Sequence, residues 1–60
     1  MTPATIKKSI KALETDQAGL AELLGYHEAT ISRYVNGLIK IPKRFEVSLK
    51  SLLASRNIRV

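Results

Sequence analysis

Between Gln17 and Arg44 the chain concentrates side chains suited to recognition by hydrogen bonding and charge. Arg33 carries a planar fork of donors that pairs with two acceptors on one edge. Ser32 and Thr30 carry hydroxyls that donate and accept, Gln17 and Asn36 carry amides, and the Glu28 carboxylate only accepts. At about 100° per residue, Glu28, Ala29, Ser32, Arg33 and Asn36 share one face of a helix, while Ile31, Tyr34 and Val35 share the other. Such a face reads a surface rather than making and breaking bonds. His27 is the only histidine, with no second His, no Cys and no paired carboxylates at ligand spacing, so no metal is expected. No nucleophile stands beside a general base and no Gly-rich phosphate loop occurs, so neither an enzymatic reaction nor a cofactor is expected.

Lys40, Lys43 and Arg44 form a second group. In the first turn of a helix, cations oppose the macrodipole at roughly 0.3–1 kcal/mol each, a cost that a bound anion reverses. Ten basic residues against five acidic ones give the chain a net charge of +5, which favours a polyanionic partner. Plainer readings stand beside these. Lys43 and Arg44 are otherwise two solvated charges, and Glu28 at a helix start otherwise complements the dipole. Lys7, Lys8 and Lys11 either extend the positive footprint or keep the protein soluble.

Sixty residues leave room for one modest core, so one domain is expected. Hydrophobic residues make up 45% of the chain, enough for it to fold rather than stay disordered. The absence of cysteine rules out disulfides and thiolate metal sites. Apolar runs are far shorter than the roughly 20 residues needed to cross a bilayer, and no signal-peptide pattern starts at Met1. A soluble cytoplasmic protein without membrane contact is expected by default.

Four helices are predicted. Thr2-Pro3 caps and opens the first, with Ile6, Ile10 and Leu13 on its apolar side until about Glu14. Asp16 caps a second, carrying Leu20, Ala21 and Leu24 and stopped at Gly25. The third runs from about Glu28 to Val35 and ends at Asn36-Gly37. Pro42 suits the first position of a fourth, on which Phe45, Leu49, Leu52 and Leu53 recur at core spacing until about Ser55. Tyr34 and Phe45 are expected in the core, which leaves Tyr26 as the lone candidate for an exposed stacking aromatic, too little for a single-strand RNA binder.

The string Gln17-x-x-Leu20-Ala21-x-x-Leu24-Gly25, followed by Ile31-Ser32-Arg33-Tyr34-x-Asn36-Gly37, resembles the lambda-repressor and Cro family of phage-type (Xre) helix-turn-helix regulators. The likeness is close from Asp16 to Pro42, and the flanking helices agree in pattern. It implies an all-α bundle of four helices, or five, whose second and third form the helix-turn-helix. It further implies sequence-specific binding to double-stranded DNA, with the third helix in the major groove and Gln17 bracing it to a phosphate. It places the chain in a bacterium or a phage-infected cell.

On that reading Arg33 donates twice to guanine O6 and N7, worth about 1–3 kcal/mol of discrimination. Glu28 accepts from cytosine N4, Ala29 packs on a thymine methyl, and Ser32 reaches a base. Gln17, His27, Thr30, Asn36, Lys40, Lys43 and Arg44 are assigned to phosphates. Two residues depart from the family pattern: His27 stands where Ser or Thr usually caps the reading helix, and Gly19 interrupts the second.

One short helix reads only a few base pairs, so such proteins pair as twofold dimers on pseudo-palindromes. Leu38, Ile39, Ile41, Ile58 and Val60 are the apolar residues the core does not obviously need, and they are the expected dimer interface. Ile58-Arg59-Val60 forms either a short strand across the twofold or a frayed end. Repression by occluding a promoter is expected, with no small-molecule effector. The rival reading is an antitoxin, which binds DNA through the same fold and a toxin through a further segment.

Overall fold

The computed structural model describes residues 1–60, all in helices, turns and short connections. Helix α1 spans Pro3–Ala12, α2 Gln17–Leu24, α3 Glu28–Val35 and α4 Lys43–Ser55, with no strand and no fifth helix. The protein is all-α. None of its helices is long and apolar enough to cross a membrane.

The helix starts follow their capping chemistry. The Thr2 hydroxyl accepts from the Thr5 amide at 3.4 Å, and Asp16 Oδ1 accepts from the Gly19 amide at 2.7 Å, each satisfying a first-turn donor. His27 precedes α3 without any side-chain cap bond, as histidine's poor capping propensity predicts. Pro42 is not the first residue of α4. It is the extended residue before it, with φ −73° and ψ 153°, and the helix begins at Lys43.

All four helices stop in the same way. Glu14, Gly25, Gly37 and Asn57 have φ of 55°, 75°, 70° and 56°. The next amides, of Thr15, Tyr26, Leu38 and Ile58, turn back to the carbonyls of Ile10, Ala21, Arg33 and Leu53 at 3.1, 2.8, 2.9 and 2.9 Å. This double closure of the last turn needs a left-handed residue, which glycine supplies at no steric cost and the other two supply under strain. It explains why α1 ends at Ala12 rather than near Glu14. It also ties down the first residue of the tail, because the Ile58 amide closes α4 on the Leu53 carbonyl.

Ile6, Leu20, Ala21, Ile31, Tyr34, Val35, Phe45, Leu49 and Leu53 form the buried core. Helix α3 lies against α2 and α1, and the small Ala21 of α2 is buried in the core they share. Phe45 is fully buried and meets Tyr26 edge-on at 5.2 Å and Tyr34 at 4.8 Å. Tyr26 is therefore half-buried against Phe45 and not a free stacking platform. Ile10, Leu13, Leu24 and Leu52, expected inside, are only half-buried around this core. Ile41 and Ile58, expected to be spare, also pack against it. Ser9 is fully buried, and its hydroxyl donates to the Thr5 carbonyl at 2.8 Å, so an apparently polar position of α1 faces inward.

Gly19 has a packing reason. A β-carbon there would collide with Thr15 Oγ1 and come within 3.3 Å of Asp16 Oδ1. Helix propensity alone makes Gly19→Ala stabilising by up to about 1 kcal/mol. Here it is expected to destabilise by about 1 kcal/mol, and in a Thr15→Ala background the same change should become stabilising. Urea denaturation of the four proteins checks this, and a stabilising single Gly19→Ala contradicts it.

The chain's ion pairs converge on Glu46. Its Oε1 accepts from the Met1 ammonium at 2.9 Å, and Oε2 lies 3.9 Å from Lys50 Nζ. The hydrogen bond from that ammonium, then the charge of Lys50, hold the Glu46 carboxyl below its ordinary value. A depressed folded pKa means that this contribution is in place above the unfolded carboxylate pKa, about 4.3. It fades as pH falls through the folded value. Stability of Glu46→Gln should accordingly fall short of wild type at neutral pH and converge with it in acid, as read from thermal unfolding across that range. A constant gap at every pH contradicts the assignment.

Candidate functional site

The expected reading helix is divided as its sequence implies. Ile31, Tyr34 and Val35 are buried, Glu28, Ala29, Arg33 and Asn36 are exposed, and Thr30 and Ser32 are half-buried. With successive residues about 100° apart, Thr30 flanks the buried arc beside Tyr34, and Ser32 flanks it near Val35. Ala29, Arg33 and Asn36 stand furthest out. The face exists because the three inward residues are apolar, and because Gly25 lets the chain reverse tightly enough for an 8-residue α2 and an 8-residue α3 to pack together.

One bond organises this face. Asn36 Nδ2 donates to Ser32 Oγ at 3.2 Å, one turn away. That bond takes up a lone pair of the hydroxyl and leaves its proton to donate elsewhere. Ser32 is thereby presented as a donor. The spacing of four residues was visible in the sequence, but the pairing was not anticipated, because exposed Ser and Asn have many alternative partners in water.

The remaining expected contact residues are placed as follows. Gln17 is the first residue of α2 and half-buried, and His27 is exposed at the turn before α3. Lys40 is exposed in the connection from α3 to α4, and Lys43 and Arg44 are exposed in the first turn of α4. No side-chain hydrogen bond or ion pair within the chain engages Gln17, His27, Arg33, Lys40, Lys43 or Arg44. Of the chain's cations, Lys50 alone among lysines and arginines has a carboxylate within reach, and that carboxylate is Glu46. Glu46 lies in the first turn of α4, where it offsets the unfavourable cations, but its oxygens are held by Met1 and Lys50. Lys43 and Arg44 are left unpaired beside helix amides that Pro42 has no side chain to cap.

The apolar residues expected at a dimer contact separate into two sets. Leu38, Ile39 and Val60 are exposed, whereas Ile41 and Ile58 lean on the core. Leu38 is 72% exposed even though it closes the end of α3, where an apolar residue usually tucks against the helix. Leu23 and Val47 are also exposed and were not anticipated. Leu23 stands between Leu20, Ala21 and Leu24 of α2, and nothing in its spacing singles it out.

The arrangement offers hydrogen-bond donors and a methyl on an unobstructed helix face, with unpaired cations following it in the chain. No protein-family model, curated protein or solved structure matches this chain.

Proposed function

We propose that the protein is a sequence-specific double-stranded DNA-binding regulator of the lambda-repressor and Cro type, with α2 and α3 as its helix-turn-helix and α3 in the major groove. The observation that carries this reading is the outward face of α3. Arg33 is exposed with no intramolecular partner, on a short helix whose other side is buried, which is how a helix must be mounted to enter a groove.

Arg33 donates its fork to a guanine edge, and Ser32, one lone pair of its hydroxyl taken up by Asn36, donates to a base or phosphate acceptor. Ala29 meets a thymine methyl and Glu28 a cytosine amino group. Gln17, His27, Thr30, Asn36, Lys40, Lys43 and Arg44 hold phosphates and fix the docking without reading sequence. Lys43 and Arg44 do so most economically, since an anion at the start of α4 relieves their opposition to its dipole. A twofold pair reading half-sites about 34 Å apart extends the short contact that one copy can make. Occlusion of a promoter is the regulatory step that such binding supplies directly.

Selection of bound sites from random duplexes is expected to return a pseudo-palindrome. Arg33→Ala should relax preference at one base position by about 1–3 kcal/mol, while Lys43→Ala weakens every sequence alike and lowers the salt slope by about one unit. Unchanged site preference in Arg33→Ala overturns the assignment of the reading face.

A further inference from the structure

The chain has two asparagines, Asn36 and Asn57, both exposed. Asparagine is among the chemically labile side chains, because the backbone nitrogen of the next residue can attack its Cγ. Glycine leaves that nitrogen open, whereas a β-branched residue screens it. Asn36 is followed by Gly37, and Asn57 by Ile58. Three hydrogen bonds hold the reacting groups of the first pair away from one another. The Gly37 amide, the nucleophile, donates to the Tyr34 carbonyl at 3.2 Å, and the Leu38 amide donates to the Arg33 carbonyl at 2.9 Å. Asn36 Nδ2 donates to Ser32 Oγ at 3.2 Å, which pins the electrophile along the helix. With φ −88° and ψ 0°, Asn36 has the backbone that closes α3, and ψ must turn far from that value before the Gly37 nitrogen lies against Cγ. The fold therefore brakes a reaction to which the sequence is prone.

We propose that Asn36-Gly37 is a self-modification site, at which Asn36 deamidates when the last turn of α3 opens and the product disables the outward face of that helix. The end of a short helix is where opening costs least. Once Tyr34 and Ser32 release their partners, the Gly37 nitrogen gives its proton to a water-derived base and bonds to Asn36 Cγ. The Cγ–Nδ2 bond breaks and ammonia leaves. Water then adds to the cyclic imide and one of its two ring C–N bonds to the former Gly37 nitrogen breaks, leaving a carboxylate on the side chain (aspartate) or in a rerouted main chain (isoaspartate). Water is the only other reactant, and nothing is oxidised or reduced. Either product ends the bond from Nδ2 to Ser32 and puts a negative charge at the end of α3, where the helix dipole disfavours it. Isoaspartate also adds a carbon to the main chain within the closing turn, so the Gly37 and Leu38 amides no longer fit the Tyr34 and Arg33 carbonyls together. The effect on DNA rests on the proposed function: a carboxylate replaces an amide assigned to a phosphate, and repels it. The chemistry and its gate do not depend on DNA.

Peptide mapping by mass spectrometry of the full chain, aged without DNA in mildly alkaline buffer, tests the site and its gate. Conversion is expected at Asn36 and not at Asn57, and about tenfold or more faster in urea, where no turn has to open first. Ser32→Ala, which removes the tether on Nδ2, should raise the rate in buffer by about two- to tenfold, the equivalent of one net hydrogen bond, and leave the rate in urea unchanged. Ser32→Thr keeps the hydroxyl and should age like wild type. Circular dichroism of each variant separates a released tether from a lost fold. The deamidated fraction, isolated by ion exchange, should bind a duplex at low salt about tenfold more weakly than the fresh chain. No conversion at Asn36, equal conversion at Asn57, equal rates in buffer and urea, Ser32→Ala without effect on a folded chain, or undiminished duplex binding by the deamidated fraction each overturns the proposal. A fresh chain that binds no duplex overturns the DNA reading alone, and the rates still decide the site and its gate.

Discussion

Phe45 holds this structure together. The chain has only three aromatic rings, and all of them belong to one cluster: Phe45 fully buried, Tyr34 on α3 tilted against it at 4.8 Å, and Tyr26 edge-on at 5.2 Å. Each ring comes from a different part of the candidate site. Tyr26 follows the Gly25 turn, Tyr34 is the inward face of α3, and Phe45 lies one residue after the exposed cations Lys43 and Arg44. Aromatic contacts of this kind add about 0.5–1.5 kcal/mol each beyond burial. In a domain with so small a core, that is a large share of the net stability. The same contacts tie the turn, the exposed helix and the start of α4 to one another.

That constraint explains how short helices hold a face steady. Eight residues of α3 make barely two turns, and neither its cap nor its own hydrogen bonds would keep it helical in water. His27 contributes no cap bond, so α3 depends on its underside. Ile31, Tyr34 and Val35 provide that anchorage, and the outward residues are left free of structural duty. The division appears in the hydrogen bonds too. Structural residues such as Ser9 and Asp16 spend their polar atoms on the backbone, whereas Arg33, Lys43 and Arg44 spend theirs on nothing within the chain.

Most of the fold was legible because it is written in local signals. The span of α3, the Asp16 cap, and the Gly25 and Gly37 stops all follow from residue type at fixed offsets, and these need no tertiary information. Errors arose where tertiary packing overrode those signals. Ser9 looks polar in sequence yet is buried, because its hydroxyl finds a partner in its own helix. Glu14 takes a left-handed conformation that favours glycine, so α1 ends two residues before the point its apolar spacing implies. Ile41, Ile58 and Tyr26 looked spare only because no periodicity links loop residues to a core. Within the candidate site, the outward face was legible from helical pitch. The bond from Asn36 to Ser32 and the exposure of Leu23 were not, since both depend on what the surrounding chain leaves uncovered.

The outward side of α3 and the start of α4 are proposed to form one duplex-binding surface. Titrating the isotopically labelled protein with a duplex at low salt, and following its backbone amide NMR signals, tests this most directly. The signals of Gln17, Ala29, Ser32, Arg33, Lys43 and Arg44 are expected to move together and saturate. Shifts centred on Lys7, Lys8 and Lys11 with α3 unmoved, or no shifts at all, would contradict it.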